Sequence, residues 1–166
     1  MSKQLIKGFF AAVLCFGIGA CGGQLNFDRL SAGDELIVLT RNSPTTYFFD
    51  GDDATGFDYE LVQAYAQSRG LILRIKLAFT LEDLMTMLAN GEGHLAAAGL
   101  TLTPKRSARF LVTNGYLQQK PLVVYKSGGA RPRSLEDLAR RDIVTLASSS
   151  HVELLTQLKS QLPGLQ

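Results

Sequence analysis

The sequence predicts an α/β fold built on a parallel-rich sheet, and three observations carry that expectation. Short aliphatic runs at 35–40, 71–77 and 95–99 read as buried strands. Two segments of helical periodicity, 57–70 and 81–89, separate them. Polar stretches follow the first and third runs, at the carboxyl ends of strands where open α/β sheets receive ligands.

The chain has 166 residues, of which 46% are hydrophobic and 19% charged, so it can build a core and is not a disordered chain. Its start is a leader. Lys3 and Lys7 precede an apolar run from 8 to 20 that is too short to span a bilayer comfortably. Ile18-Gly19-Ala20-Cys21 resembles the bacterial lipobox. That resemblance implies cleavage before Cys21, lipidation of Cys21 and a membrane tether with several acyl chains. Cys15 leaves with the leader, so no disulfide can form. Loss of Lys3 and Lys7 leaves as many acidic as basic residues, and no basic field for nucleic acid remains. The expected organisation is a lipoprotein signal peptide at 1–20, a polar tether at 21–34, a first lobe at 35–126 and the start of a second lobe at 127–166.

The strand at 35–40 leads into a loop carrying Asn42, Pro44 and Tyr47. This loop suits a ligand-facing role or, equally, a connector plugged by residues 47–49. Residues 50–56 read as a solvated turn, since their three carboxylates lack EF-hand spacing. The helix at 57–70 should bury Phe57, Leu61, Ala64, Tyr65 and Ser68, with Asp58 and Glu60 serving its dipole and Gly70 stopping it. In the strand at 71–77, Arg74 and Lys76 should face outward. Thr80 and Asp83 form a capping-box pattern, and Asn90-Gly91 ends the helix that follows. The third strand should be small and fully buried. Further strands are expected at 121–126 and 142–147, with a short helix capped by Ser134 between them. Residues 148–151 should open a last helix, whose free N–H groups and hydroxyls offer an anion site.

Residues 96–109 concentrate the chemistry. A strand breaks at Gly99, exposes Thr101 and Thr103, and delivers a proline-started turn with Lys105, Arg106 and Arg109. Strand-end backbone groups, hydroxyls and a guanidinium make a small-anion site. The competing reading of Arg106 is a surface turn charge or a salt bridge. A hydrolase is disfavoured: no Gly-x-Ser-x-Gly elbow accompanies residues 148–151, and adjacent Ser and His do not make a triad. Two distant histidines support no metal site, and no cofactor is implied.

The order of elements and three motifs resemble the bacterial extracellular solute-binding proteins of the amino-acid-binding type. The motifs are Gly56-Phe57-Asp58-Tyr59-Glu60-Leu61, Gly91-Glu92-Gly93-His94-Leu95 with His94 in an aspartate's place, and Gly99-Leu100-Thr101-Leu102-Thr103-Pro104-Lys105-Arg106. The resemblance implies a periplasmic-binding-protein-like (type II) lobe with an incomplete second lobe. It implies that Arg106 holds a ligand carboxylate, Thr101 donates a hydroxyl, and the Gly99 carbonyl accepts from an amine. Ser149 and Ser150 would close from the second lobe, and Asn42 and Tyr47 would line the site. Segments 41–47, 58–61, 125–126 and 131–133 resemble the sensor half of the membrane-bound lytic transglycosylases of the cell wall. Members of that family pair such a half with a lysozyme-like domain bearing a Glu-Ser pair, and this sequence has no Glu-Ser dipeptide. The implied protein is a fragment without catalysis of its own. It would be a lipid-anchored sensor module at the periplasmic face of the outer membrane of a Gram-negative bacterium. Its partners would be a small carboxylate or muropeptide, the membrane, and peptidoglycan through the missing domain. The alternative is an amino-acid-binding lipoprotein of an ABC transporter.

Overall fold

The structure, a computed structural model, describes residues 29–162 and 164–165. The leader, the lipobox, Cys21 and most of the tether lie outside the described residues. The end of the tether is docked: Leu30 packs on the core, and the Gly33 N–H donates to the Gly70 carbonyl at 2.8 Å.

Strand β1 (Glu35–Thr40) is the centre of a three-stranded parallel sheet, with β4 (Ile72–Leu77) on one side and β5 (Leu95–Ala96) on the other. Glu35 stands opposite Ile72 and Thr40 opposite Leu77, while Val38 faces Leu95 and Leu39 faces Ala96. Helix α1 (Phe57–Ser68) connects β1 to β4, and α2 (Leu81–Ala89) connects β4 to β5. The alternation of β1 side chains divides the core. Leu36 and Val38 pack with Val62 and Ala66 of α1, whereas Leu39 packs with Ala78, Leu81 and Leu84 beside α2. The two crossovers therefore cover opposite faces, as right-handed connections running to opposite edges require.

Several expectations hold as stated. Thr80 accepts from the Asp83 N–H and Asp83 accepts from the Thr80 N–H, each at 3.0 Å, completing the capping box. Arg74 and Lys76 face solvent and pair with Glu35 and Glu92. Ser134 caps α4 (Leu135–Leu138) by accepting from the Asp137 N–H.

Others require correction. Residues 50–56 are more than a turn: β2 (Phe48–Asp50) and β3 (Asp53–Thr55) form an antiparallel hairpin around Gly51. Helix α1 is rotated from the expected phase, burying Asp58, Val62 and Ala66 while Phe57 and Leu61 stay exposed. The rotation follows from Asp58, whose polar partners lie inside. Strand β5 is two residues long and only half-buried. Residues 121–126 and 142–147 form no strands. Val124 and Val144 are each 94% exposed, and no described strand pairs with either segment, whose backbone bonds are turn bonds from Gly129 to Lys126 and from Ser149 to Leu146. A β-prone segment without a partner strand leaves its N–H and C=O groups to water, and composition alone cannot supply the partner.

Candidate functional site

Because β1 and β5 are neighbours, the chain leaves the sheet beside itself after Thr40 and after Ala96. The first exit is a tight loop. The Thr46 hydroxyl donates to the Arg41 carbonyl at 2.6 Å, and the Ser43 and Thr46 hydroxyls lie 2.8 Å apart. The loop also serves α1, which has no side-chain N-cap. The Phe57 N–H donates to the Thr45 carbonyl and the Tyr59 N–H to the Thr46 carbonyl, satisfying helix-start donors with backbone instead. This close approach explains Gly56, at φ 127°, where an added Cβ would lie 2.5 Å from the Thr46 carbonyl oxygen.

The second exit begins at Gly99, in the left-handed region at φ 59°. Its N–H donates to the buried Asp58 carboxylate at 2.6 Å. Thr103 then caps the short helix α3 (Pro104–Ser107), accepting from the Arg106 N–H at 3.3 Å, with Pro104 opening the helix where no N–H is needed. The turn points the Arg106 side chain back along the segment that precedes it.

Arg106 is 8% exposed. Its Nη1 donates to the Thr101 carbonyl at 2.8 Å and its Nη2 to the Ser148 carbonyl at 3.4 Å. No carboxylate pairs with it among the described residues. A buried guanidinium with carbonyl acceptors, and no carboxylate within ion-pair distance among the described residues, keeps donors that suit an arriving anion.

The start of α5 (Ser150–Gln161) meets this segment. The Ser150 hydroxyl lies 3.1 Å from that of Thr101, and the Thr103 hydroxyl donates to Glu153 at 3.1 Å. Ser148 adopts φ 61°, and Ser149, at the N-cap, is buried with a hydroxyl that finds no hydrogen-bond partner among the described residues. A cavity of about 270 Å³ lies beside Arg106, walled by Glu82 and Met85 of α2, Lys105 of α3, Arg109 and Phe110 after it, and Glu153 of α5.

The structure thus brings Thr101 and Arg106 against Ser148 and Ser150, with Ser149 between the last two, while Gly99 lies against Asp58 and Thr46. Two others stand apart. Asn42 is exposed on the first loop without a hydrogen bond to this group. Tyr47 is buried in an aromatic cluster, edge-on to Phe49 at 5.6 Å and to Tyr59 at 5.4 Å between ring centroids. Sequence reasoning missed Asp58, which it treated as a dipole residue, and Tyr116, whose hydroxyl also donates to Asp58. The available signal was an acid one residue inside a helix start, followed by Val62 and Ala66 on its own face.

The sequence profile of the bacterial extracellular solute-binding proteins, family 3, matches residues 36–163. The membrane-bound lytic murein transglycosylase F of Pseudomonas putida (strain GB-1) is 39% identical over 168 residues, covering 100% of this chain and 35% of that protein. The protein of the same name from Ectopseudomonas mendocina (strain ymp) is 41% identical over 162 residues, covering 95% of this chain and 33% of that protein. The chain therefore spans about a third of the length of the curated relatives it matches. Among solved structures, an ancestral arginine-binding protein bound to arginine superposes with a TM-score of 0.68 at 22% identity, covering 80% of this chain and 58% of that chain. An ancestral amino acid-binding protein, a precursor of cyclohexadienyl dehydratase, gives 0.64 at 24% identity over 80% of this chain and 59% of that chain. These likenesses establish the type II periplasmic-binding-protein fold.

Proposed function

The chain belongs to the bacterial extracellular solute-binding proteins, family 3, and on that premise we propose that it is the ligand-binding sensor module of a peptidoglycan lytic transglycosylase. Its ligand is a small carboxylate such as an amino acid or a cell-wall peptide. One observation carries the reading: Arg106 is buried with no carboxylate partner among the described residues, bonded to the carbonyl of Thr101, whose hydroxyl meets that of Ser150. A ligand carboxylate replaces the long bond from Nη2 to the Ser148 carbonyl and takes two parallel N–H donors from the guanidinium. The Ser149 hydroxyl and the N–H groups at the start of α5 approach the same charge from the other side. The Gly99 carbonyl and the hydroxyl-rich loop at 41–46 receive the ligand's amine.

The names of the relatives favour the transglycosylase context over transport, because the transporter alternative rests on fold-level likeness alone. In that context the module is held by acyl chains on Cys21 at the periplasmic face of the outer membrane, and peptidoglycan is cleaved by a separate lysozyme-like domain. A lysozyme-like domain downstream in the same reading frame, or its absence, decides between the two.

Calorimetry of the full-length protein with free amino acids and muropeptides tests the binding reading. Saturable heat is expected, weakened at least roughly tenfold by Arg106→Ala, since hydrogen bonds to a charged group are the strong ones. No heat from any of these ligands overturns the sensor reading; heat indifferent to Arg106→Ala overturns the carboxylate assignment.

A further inference from the structure

Asp58 lies in the first turn of α1 and is 3% exposed. A buried carboxylate is retained where its charge is balanced, and here no Lys or Arg pairs with it among the described residues. Its balance comes from two donors belonging to distant segments and from the positive end of α1. The Gly99 N–H donates to Oδ2 at 2.6 Å, and the Tyr116 hydroxyl donates to Oδ1 at 2.5 Å. The Tyr116 ring also lies against Phe57, with centroids 5.6 Å apart.

The turn that carries Asp58 is fixed in its own right. Phe57 and Tyr59 on either side donate their N–H groups to Thr45 and Thr46 of the first loop. Gly99 sits close to both: a Cβ there would lie 3.6 Å from the Thr46 methyl and 3.9 Å from Oδ2 of Asp58. The turn of Asp58 therefore joins three segments, the first through its backbone and the other two through the carboxylate. They are the loop at 41–47, the segment at 99–103 that presents Thr101 and Arg106, and the connection after α3 that leads on to α4 and α5.

We propose that Asp58 is a positioning residue that couples the conformation of the Gly99–Thr101 segment to the docking of the connection through Tyr116. Release of Tyr116 leaves one carboxylate oxygen without its donor, the carboxylate turns toward water, and the bond that holds Gly99 in the left-handed region weakens. A movement of the connection is then felt at the ligand segment without any contact between Tyr116 and the ligand groups. The importance of this for affinity rests on the binding reading above; the coupling itself does not.

The test is site-resolved amide hydrogen exchange on the full chain, with no ligand added. Tyr116→Phe removes one hydroxyl from a half-exposed side chain and touches neither Gly99 nor Arg106. It is expected to accelerate exchange at Gly99 roughly tenfold while leaving the amides of Leu36 and Val38 in β1 unchanged. Asp58→Asn is expected to accelerate Gly99 at least as much. Unchanged exchange at Gly99 in Tyr116→Phe overturns the coupling, and so does acceleration shared equally by Leu36 and Val38, which marks a loss of global stability alone. If calorimetry finds no ligand, the binding reading fails while the exchange result still decides this one.

Discussion

His94 occupies the turn before β5, and its Nδ1 accepts the Ile37 N–H at 2.9 Å while its own N–H donates to the Ile37 carbonyl. An aspartate in this place, which the family motif would supply, could accept the same bond with a carboxylate. The imidazole does so only when Nδ1 is unprotonated, and burial holds its pKa below 6.5. A group with a lowered folded-state pKa of this kind stabilises the fold above its unfolded value, and that stabilisation is lost as pH falls below 6.5. Denaturant midpoints are therefore expected to drop between neutral pH and pH about 5. His94→Asn, which keeps an oxygen acceptor, should flatten that drop; an equal drop in the variant refutes the assignment. Tyr116 behaves in the opposite sense. Burial, with the Asp58 carboxylate adding to it, pushes its phenol up to about 12. Its raised value means stabilisation that persists below pH 10 and is lost as pH rises toward 12, with the Asp58 bond lost on ionisation. Absorbance of the phenolate across an alkaline titration should show a late component that Tyr116→Phe removes.

At the scale of elements, the capping box of α2 is the clearest case of local chemistry deciding structure. Thr80→Ala removes the acceptor for the Asp83 N–H and is expected to cost about 1 kcal/mol, lowering the melting temperature by roughly 2–4 °C. Gly56→Ala is expected to cost more than about 1 kcal/mol, because the left-handed backbone and the Thr46 carbonyl both oppose a Cβ. The elements around β1 were legible in the sequence because each carries its own signals: the aliphatic run at 35–40, the Thr80–Asp83 box, Gly70 after α1 and Gly91 after α2. The hairpin of β2 and β3 was hidden in three-residue strands bracketing acidic turn residues, too short for a period-2 pattern. The phase of α1 departs from the expected stripe because Asp58, expected only to serve the helix dipole, is buried, and its partners Gly99 and Tyr116 come from positions far along the chain. The candidate site was legible in composition but not in geometry. Nothing local to Arg106 tells that its guanidinium is buried against Thr101 and Ser148.

Across the whole molecule, order is unevenly distributed. Leu36, Leu39 and Leu84 are fully buried around the sheet, while Leu111, Leu122, Val124 and Val144 stand in solvent. Leu84→Ala should accordingly cost about 2–5 kcal/mol, whereas Val124→Thr or Val144→Thr should stay within about 0.5 kcal/mol. Thermal melts of these variants of the chain check both; a large loss from Val124→Thr means that this segment is packed in solution. One further consequence follows from the placement of β1. The middle strand of the sheet is the earliest to leave the ribosome, yet its neighbours are encoded at 72–77 and 95–96. Until residues 72–77 have emerged its row Leu36-Ile37-Val38-Leu39 has both edges open, and long loops must close before either is filled. Nascent chains that have exposed residues up to 77 but not yet 95 carry a half-paired aliphatic ribbon, the state in which aggregation and holdase capture compete most strongly with folding.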